Sequence, residues 1–135
     1  MPGSFLDSNV LIYFAAATPV KAAQAEALIA AGSTISVQVL NEVATVGRRK
    51  MKLSWDELDD VLRRIRAALD VVPVTLEVHD RGLAIARRYG LSIYDGSIAS
   101  AALLSGCNTL WSEDMHDGLV IERRLTVRNP FSGVA

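Results

Sequence analysis

Short runs of β-branched and large apolar residues alternate along the chain with longer stretches whose apolar residues recur every three or four positions. The first pattern fits a buried strand and the second an amphipathic helix. Ser4, Phe5 and Leu6 form a first strand that stops at Asp7. Residues 9–16 suit a short helix. Pro19 stands where the first turn of a second, Ala-rich helix tolerates a missing N–H, and that helix stops at Gly32. Residues 34–37 read as a second strand. After it Val39, Leu40, Val43 and Val46 lay one apolar stripe along a helix that ends near Arg49.

Capping chemistry marks the later helices. Ser54 and Glu57 form a capping box, in which hydroxyl and carboxylate each satisfy a free backbone N–H. The amphipathic helix it opens carries Leu58, Val61, Leu62, Ile65 and Leu69. Residues 71–74 are a third strand, with Pro73 favouring a sheet edge or strand end. Thr75 caps a helix through Leu76, His79, Leu83 and Ala86 that closes at Gly90, with His79 expected partly buried. Ser92 caps the next, over 93–105. Residues 109–111 and 125–127 are the fourth and fifth strands. This alternation predicts an α/β fold: three layers, with a central, mainly parallel sheet of about five short strands between helices. No repeat or linker interrupts it, so residues 1–135 read as one domain.

Composition narrows the class. With 50% hydrophobic and 21% charged residues, the 135-residue chain has the balance of a globular domain with one core. No apolar run approaches the roughly 20 residues needed to span a bilayer. The longest, residues 10–17, lies too near an acidic start to act as a secretory leader, so no membrane role is expected. The single cysteine, Cys107, excludes an internal disulfide, suits a reducing cytoplasm and reads as a small buried hydrophobe. A net charge of −1 gives no global basic field. The basic residues instead cluster at Arg48-Arg49-Lys50, Arg63-Arg64, Arg87-Arg88 and Arg123-Arg124, each of which also suits a solvated helix face.

The acids carry the candidate chemistry. Ligands of parallel α/β sheets sit at the carboxyl ends of the strands, where strand order reverses. Asp7 follows the first strand directly, and Asp114 and Asp117 follow the fourth. Asp95 falls in the first turn of the Ser92 helix, and Glu42 lies beside the apolar stripe of its helix. Carboxylates gathered in one pocket repel one another unless they hold a hard cation, and Mg²⁺ and Mn²⁺ prefer oxygen ligands. Each acid also has a local explanation. Asp7 can cap a helix, Asp95 can complete a capping box with Ser92, Glu42 can be a boundary residue, and Asp114 and Asp117 can stabilise a turn. Glu113 and Asp80 read as surface charges. No Cys–His cluster offers a zinc site and no glycine-rich run resembles a phosphate loop.

At these residues the chain resembles the PIN-domain ribonucleases, and within them the VapC-like toxins of type II toxin–antitoxin systems. The segments that carry the resemblance are Phe5-Leu6-Asp7-Ser8-Asn9, Asn41-Glu42-Val43, Tyr94-Asp95-Gly96-Ser97 and Ser112-Glu113-Asp114-Met115-His116-Asp117, with Asn129-Pro130-Phe131 as the ending. They occur in the family's order over nearly the whole chain. The resemblance implies a PIN-like fold and Mg²⁺- or Mn²⁺-dependent cleavage of RNA. It makes Asp7, Glu42, Asp95 and Asp114 the shared acids and metal ligands, with Asp117 a fifth catalytic acid. It also implies that Asn9 and Ser112 orient ligands or water, and that the protein forms a homodimer and is inhibited by a cognate antitoxin. Gly96 departs from a commoner, larger residue and is expected to loosen the helix start that holds Asp95; His116 stands where glutamine is common.

Other acid-rich α/β folds fit less well. A phospho-accepting receiver domain and a phosphatase of the haloacid dehalogenase type both require a late lysine, and none follows Lys52. The phosphatase would also want an aspartate at position 9, which is Asn9. A non-catalytic PIN-like module that binds RNA or protein remains the alternative, and nothing in the motifs reads the sugar to separate RNA from DNA.

Overall fold

The computed structural model describes residues 3–16 and 19–132. Along them run β1 (Ser4–Leu6), α1 (Ser8–Ala15), α2 (Pro19–Ala30), β2 (Thr34–Ser36), α3 (Val37–Arg49) and α4 (Trp55–Ala68). The second half holds β3 (Asp70–Val72), α5 (Leu76–Tyr89), α6 (Ile93–Leu104), β4 (Thr109–Trp111), β5 (Val120–Ile121) and β6 (Leu125–Arg128). The strands form one sheet in the order β3-β2-β1-β4-β6-β5, parallel except for β5. Helices flank the sheet to give a three-layer α/β/α architecture, with α6 packed on β2, β4 and β6 and α1 on α2 and α3. No helix among the described residues is long and apolar enough to cross a membrane.

Strands buried on both faces need side chains that tolerate no water. Phe5, Leu6, Ile35, Leu110, Leu125 and Val127 are all fully buried. Helix α6 is buried along most of its length, between the sheet and α5, and small residues such as Ala99 and Ala102 are fully buried in it. The caps fall where the sequence puts them: Ser54 and Glu57 make both capping-box bonds, Thr75 and Ser92 accept from the N–H three residues on, and Gly90 ends α5 in the left-handed region. Pro73 follows β3, the strand on the sheet edge, where a missing donor breaks no ladder.

Three features add to or depart from what the sequence predicts. The sheet has six strands, because Val120 and Ile121 pair antiparallel with β6 through a tight hairpin. Its two central residues, Glu122 and Arg123, have φ of 51° and 60°, and Arg124 N–H donates to Ile121 O at 3.1 Å. Asn-Gly normally advertises such a turn. Here Glu-Arg adopts it because Arg81 holds the Glu122 carboxylate at 2.9 Å and Tyr89 OH accepts the Glu122 N–H at 2.8 Å. On α5 the buried face runs through Val78, Gly82, Ile85 and Ala86, while Leu76 and His79 face solvent. The third concerns Gly96. A Cβ there would lie 2.4 Å from Gly82 O and 2.9 Å from the Ala86 side chain, so the glycine lets α6 seat directly on α5 rather than loosening it.

Candidate functional site

The chain leaves β1 and builds outward through β2 and β3, then returns to the other side of β1 with β4. Strand order therefore reverses between β1 and β4, and both strands end at the same edge of the sheet. The backbone ladder continues one step past them: Asp7 N–H donates to Trp111 O at 3.0 Å and Ser112 N–H to Arg128 O at 2.9 Å. That places Asp7 and Ser112 side by side at the crevice where this fold class binds ligands.

Asp7 is the N-cap of α1 and is only 2% exposed. Its Oδ1 accepts Ser8 N–H at 2.7 Å, and its Oδ2 accepts the Ser112 hydroxyl at 2.7 Å and Asn9 Nδ2 at 3.2 Å. Burial nonetheless pushes its pKa from 3.8 up to about 6, because these bonds from Ser112 and Ser8 offset only part of the lost hydration and Asp95 and Glu42 add like charge. Asn9 is the hub. The same Nδ2 donates to Asp114 Oδ2 at 3.2 Å, and its Oδ1 accepts Glu113 N–H at 3.0 Å. One amide thus ties the end of β1 to the turn after β4.

Glu42 reaches the group from α3, where Ser8 Oγ donates to Oε1 at 2.7 Å and Gln38 Nε2 donates to Oε2 at 2.8 Å. Asp95 stands half-buried in the first turn of α6. Burial raises its pKa; a bond from Ser92 opposes the rise, and the charges of Glu42 and Asp114 add to it. Asp7, Glu42, Asp95 and Asp114 therefore feel one another from four separate parts of the chain. Asp117 stands apart: it is exposed, and its Oδ1 accepts Asn129 N–H at 2.9 Å, which ties the turn to the tail.

Glu113 has more to do than a surface charge would. Its Oε1 accepts Tyr13 OH at 2.7 Å and its Oε2 accepts Lys21 Nζ at 2.7 Å. Burial pushes the Glu113 carboxyl up, but the bonds from Lys21 and Tyr13 outweigh it and hold the pKa below the ordinary value. Lys21 also lies 4.5 Å over the Tyr13 ring, and Tyr13 meets Phe131 edge-on at 4.8 Å. This latch clamps the turn bearing Asp114 onto α1 and α2. Nothing in the sequence announces it, since its members lie in distant segments. Gln38 was more legible, because an amide four residues before Glu42 shares its helix face.

An open cleft of about 790 Å³ adjoins the acids, lined by Glu42, Asp114, Asn9, Arg49, Lys50 and Tyr94 among others. The four ion pairs formed among the described residues involve none of the four acids. The donor set is all oxygen, none of its members is paired with a cation among the described residues, and burial raises Asp7 and Asp95 with neighbouring like charge adding to the rise. That chemistry fits a hard divalent cation. Among the described residues no three His, Cys, Asp or Glu side chains stand close enough together to form a ready-made metal cage, and of the four acids Glu42 and Asp114 line the cleft.

The model of the PIN domain family matches residues 4–116, a span that contains Asp7, Glu42, Asp95 and Asp114. The chain belongs to the PIN domain family. Solved PIN-like structures extend the likeness over nearly the whole molecule. A DNA-bound VapBC from Salmonella typhimurium matches with a TM-score of 0.72 and 18% identity, covering 96% of this chain and 99% of that one. A toxin–antitoxin complex from Klebsiella pneumoniae matches with a TM-score of 0.69 and 21% identity, covering 94% and 97%. VapC20 of Mycobacterium tuberculosis, described as a sarcin–ricin loop cleaving toxin, matches at 0.68 and 17%, covering 82% and 89%. At these identities the likeness is one of fold. Comparison with curated proteins finds no match.

Proposed function

We propose that this PIN domain is a divalent-metal-dependent endoribonuclease and the toxin of a toxin–antitoxin pair. One observation carries the reading. Four carboxylates from four segments gather near the strand-order reversal: Asp7 buried, Glu42 and Asp95 partly buried and Asp114 exposed, with burial and like charge raising Asp7 and Asp95, and none of the four paired with a cation among the described residues. The family match and the toxin–antitoxin neighbours support it, and the sarcin–ricin activity ascribed to VapC20 favours RNA as substrate.

In this reading Asp7, Glu42, Asp95 and Asp114 hold Mg²⁺ or Mn²⁺. Bound there, the metal supplies a Lewis acid that activates water and steadies the leaving oxygen of a phosphodiester. The rest of the work belongs to the chain. Ser112 and Asn9 fix the Asp7 carboxylate, and Asn9 fixes Asp114 through the same amide. Ser8 and Gln38 aim the two oxygens of Glu42. Such supporting bonds orient ligands before the ion arrives. Asp117, with its oxygen on the Asn129 N–H, holds the turn.

The reading also carries a homodimer, a cytoplasmic location and a cognate antitoxin that blocks the acidic cleft. Purified protein should cut RNA with Mg²⁺ or Mn²⁺ and stop in excess chelator. Activity that survives the chelator would refute the metal mechanism. Cleavage of DNA alone would redirect the substrate, and RNA binding without any cleavage would favour a non-catalytic module. Sedimentation of the protein alone and with its partner checks the assembly.

A further inference from the structure

Seven residues of α3 and its C-cap line the cleft: Gln38, Asn41, Glu42, Thr45, Val46, Arg49 and Lys50. Their spacing of three, one, three, one, three and one puts them on a single face of the helix. The cleft therefore runs along α3 from carboxylate to cation. At 1.5 Å per residue, Arg49 lies roughly 10 Å along the axis from Glu42.

The basic run at the end of α3 divides in two. Arg48 is committed to the fold, with Nη1 donating to Leu53 O at 2.7 Å and its guanidinium 4.2 Å over the Trp55 ring. Arg49 and Lys50 are exposed on the cleft and join no ion pair among those formed by the described residues. Cations are favoured at any helix C-terminus by its dipole, and that accounts for their presence in the last turn. It does not account for an aromatic side chain on the same cleft. Tyr94, the neighbour of Asp95 at the start of α6, lines it with 64% of its surface open. A large ring left bare beside a charged site is poor packing and a good stacking platform.

The geometry points to a subsite for the nucleotide flanking the cut: Arg49 and Lys50 hold the neighbouring phosphate while Tyr94 stacks a base against the acidic centre. The inference rests on the nuclease reading for the position of the cut, not for the binding itself. A duplex keeps its base faces covered by their neighbours, so Tyr94 engages only a strand whose bases are splayed. Stacking is tolerant of base identity, because every base has a π-face. The subsite therefore selects unpaired geometry and a flanking phosphate rather than a sequence.

The test is fluorescence anisotropy of the intact protein with a short labelled unpaired RNA, and with the same strand annealed to its complement. Ca²⁺ replaces Mg²⁺ so that binding is read without relying on cleavage. Tyr94→Ala should weaken binding of the unpaired strand about tenfold and leave duplex binding unmoved, while Tyr94→Phe keeps the ring and rescues it. Replacing Arg49 and Lys50 by Gln should weaken both forms. It should also flatten the dependence of log K on log salt for the unpaired strand, by about 0.7 for each phosphate that is no longer neutralised. Thermal melts of these exposed variants control for folding. Parental binding by Tyr94→Ala would overturn the subsite. So would an unchanged salt slope in the Arg49 and Lys50 variant, which would show that neither cation neutralises a phosphate. If the parent binds RNA as expected yet cuts none with Mg²⁺ or Mn²⁺, the nuclease reading fails and the subsite stands.

Discussion

Replacing Asp7 by Asn removes one charge from the centre of the site and almost nothing else. A tenfold change in proton affinity corresponds to about 1.4 kcal/mol. The rise of the Asp7 pKa from 3.8 to about 6 therefore costs the folded, metal-free protein about 3 kcal/mol whenever the carboxylate is ionised. The sign follows from the direction of the shift. Above pH 6 the group is charged in both folded and unfolded chains and the cost is full. Between pH 6 and pH 4 the folded protein holds a proton that the unfolded chain releases, so stability rises as pH falls. Below pH 4 the cost is gone.

Asn at position 7 never pays that penalty. Its amide oxygen can keep the Ser8 N–H bond, and the Ser112 hydroxyl can turn to accept from its NH₂. The bond from Asn9 Nδ2 at 3.2 Å disappears, because donor then faces donor, at a cost of about 1 kcal/mol. In chelator at pH 8 the variant should thus be more stable by about 2 kcal/mol, or about 7 °C in Tm for a domain this size. Near pH 4 it should be less stable by about 1 kcal/mol. Mg²⁺ at 100 times its Kd should add about 2.7 kcal/mol to the parent and much less to the variant. Urea denaturation at both pH values, with chelator and with Mg²⁺, run beside an RNA cleavage assay, decides the matter. A variant that is destabilised by about 1 kcal/mol at pH 8 and still cuts RNA would reduce Asp7 to a helix cap.

Glu113→Gln should raise the Mg²⁺ concentration for half-maximal cleavage about tenfold, since it loosens the latch that holds the Asp114 turn; an unchanged Mg²⁺ titration refutes this. Asp117→Ala should cost about 1 kcal/mol by orphaning the Asn129 N–H yet keep cleavage close to parental. A large loss of cleavage at unchanged stability would return Asp117 to the chemistry. Gly96→Ala places a Cβ against Gly82 O and should destabilise by about 1–3 kcal/mol. It should also cut activity beyond that loss, because α6 must move and carries Asp95 with it; full activity in the folded fraction would show that Asp95 needs no such seat.

Whatever depends on neighbours along the chain was already legible. The capping box at Ser54, the caps at Thr75 and Ser92 and the stop at Gly90 are local chemistry, and the alternation of strand and helix set the fold class. The motifs around Asp7, Glu42, Asp95 and Asp114 marked the acids, because each lies in a stretch readable by itself. Three features needed the tertiary structure. The hairpin at Glu122 and Arg123 was hidden because Arg81 and Tyr89, far away in sequence, hold a turn that its own residues disfavour. The buried side of α5 could not be chosen from periodicity, since Leu76 and Val78 both offered an apolar stripe and only packing against α6 selected one. Glu113 read as a surface charge until the fold brought Tyr13 and Lys21 to it across 100 and 92 positions of chain. Backbone propensity and caps act over a turn or two of chain, whereas burial, charge repulsion and long-range hydrogen bonds exist only once strand order has placed distant segments together.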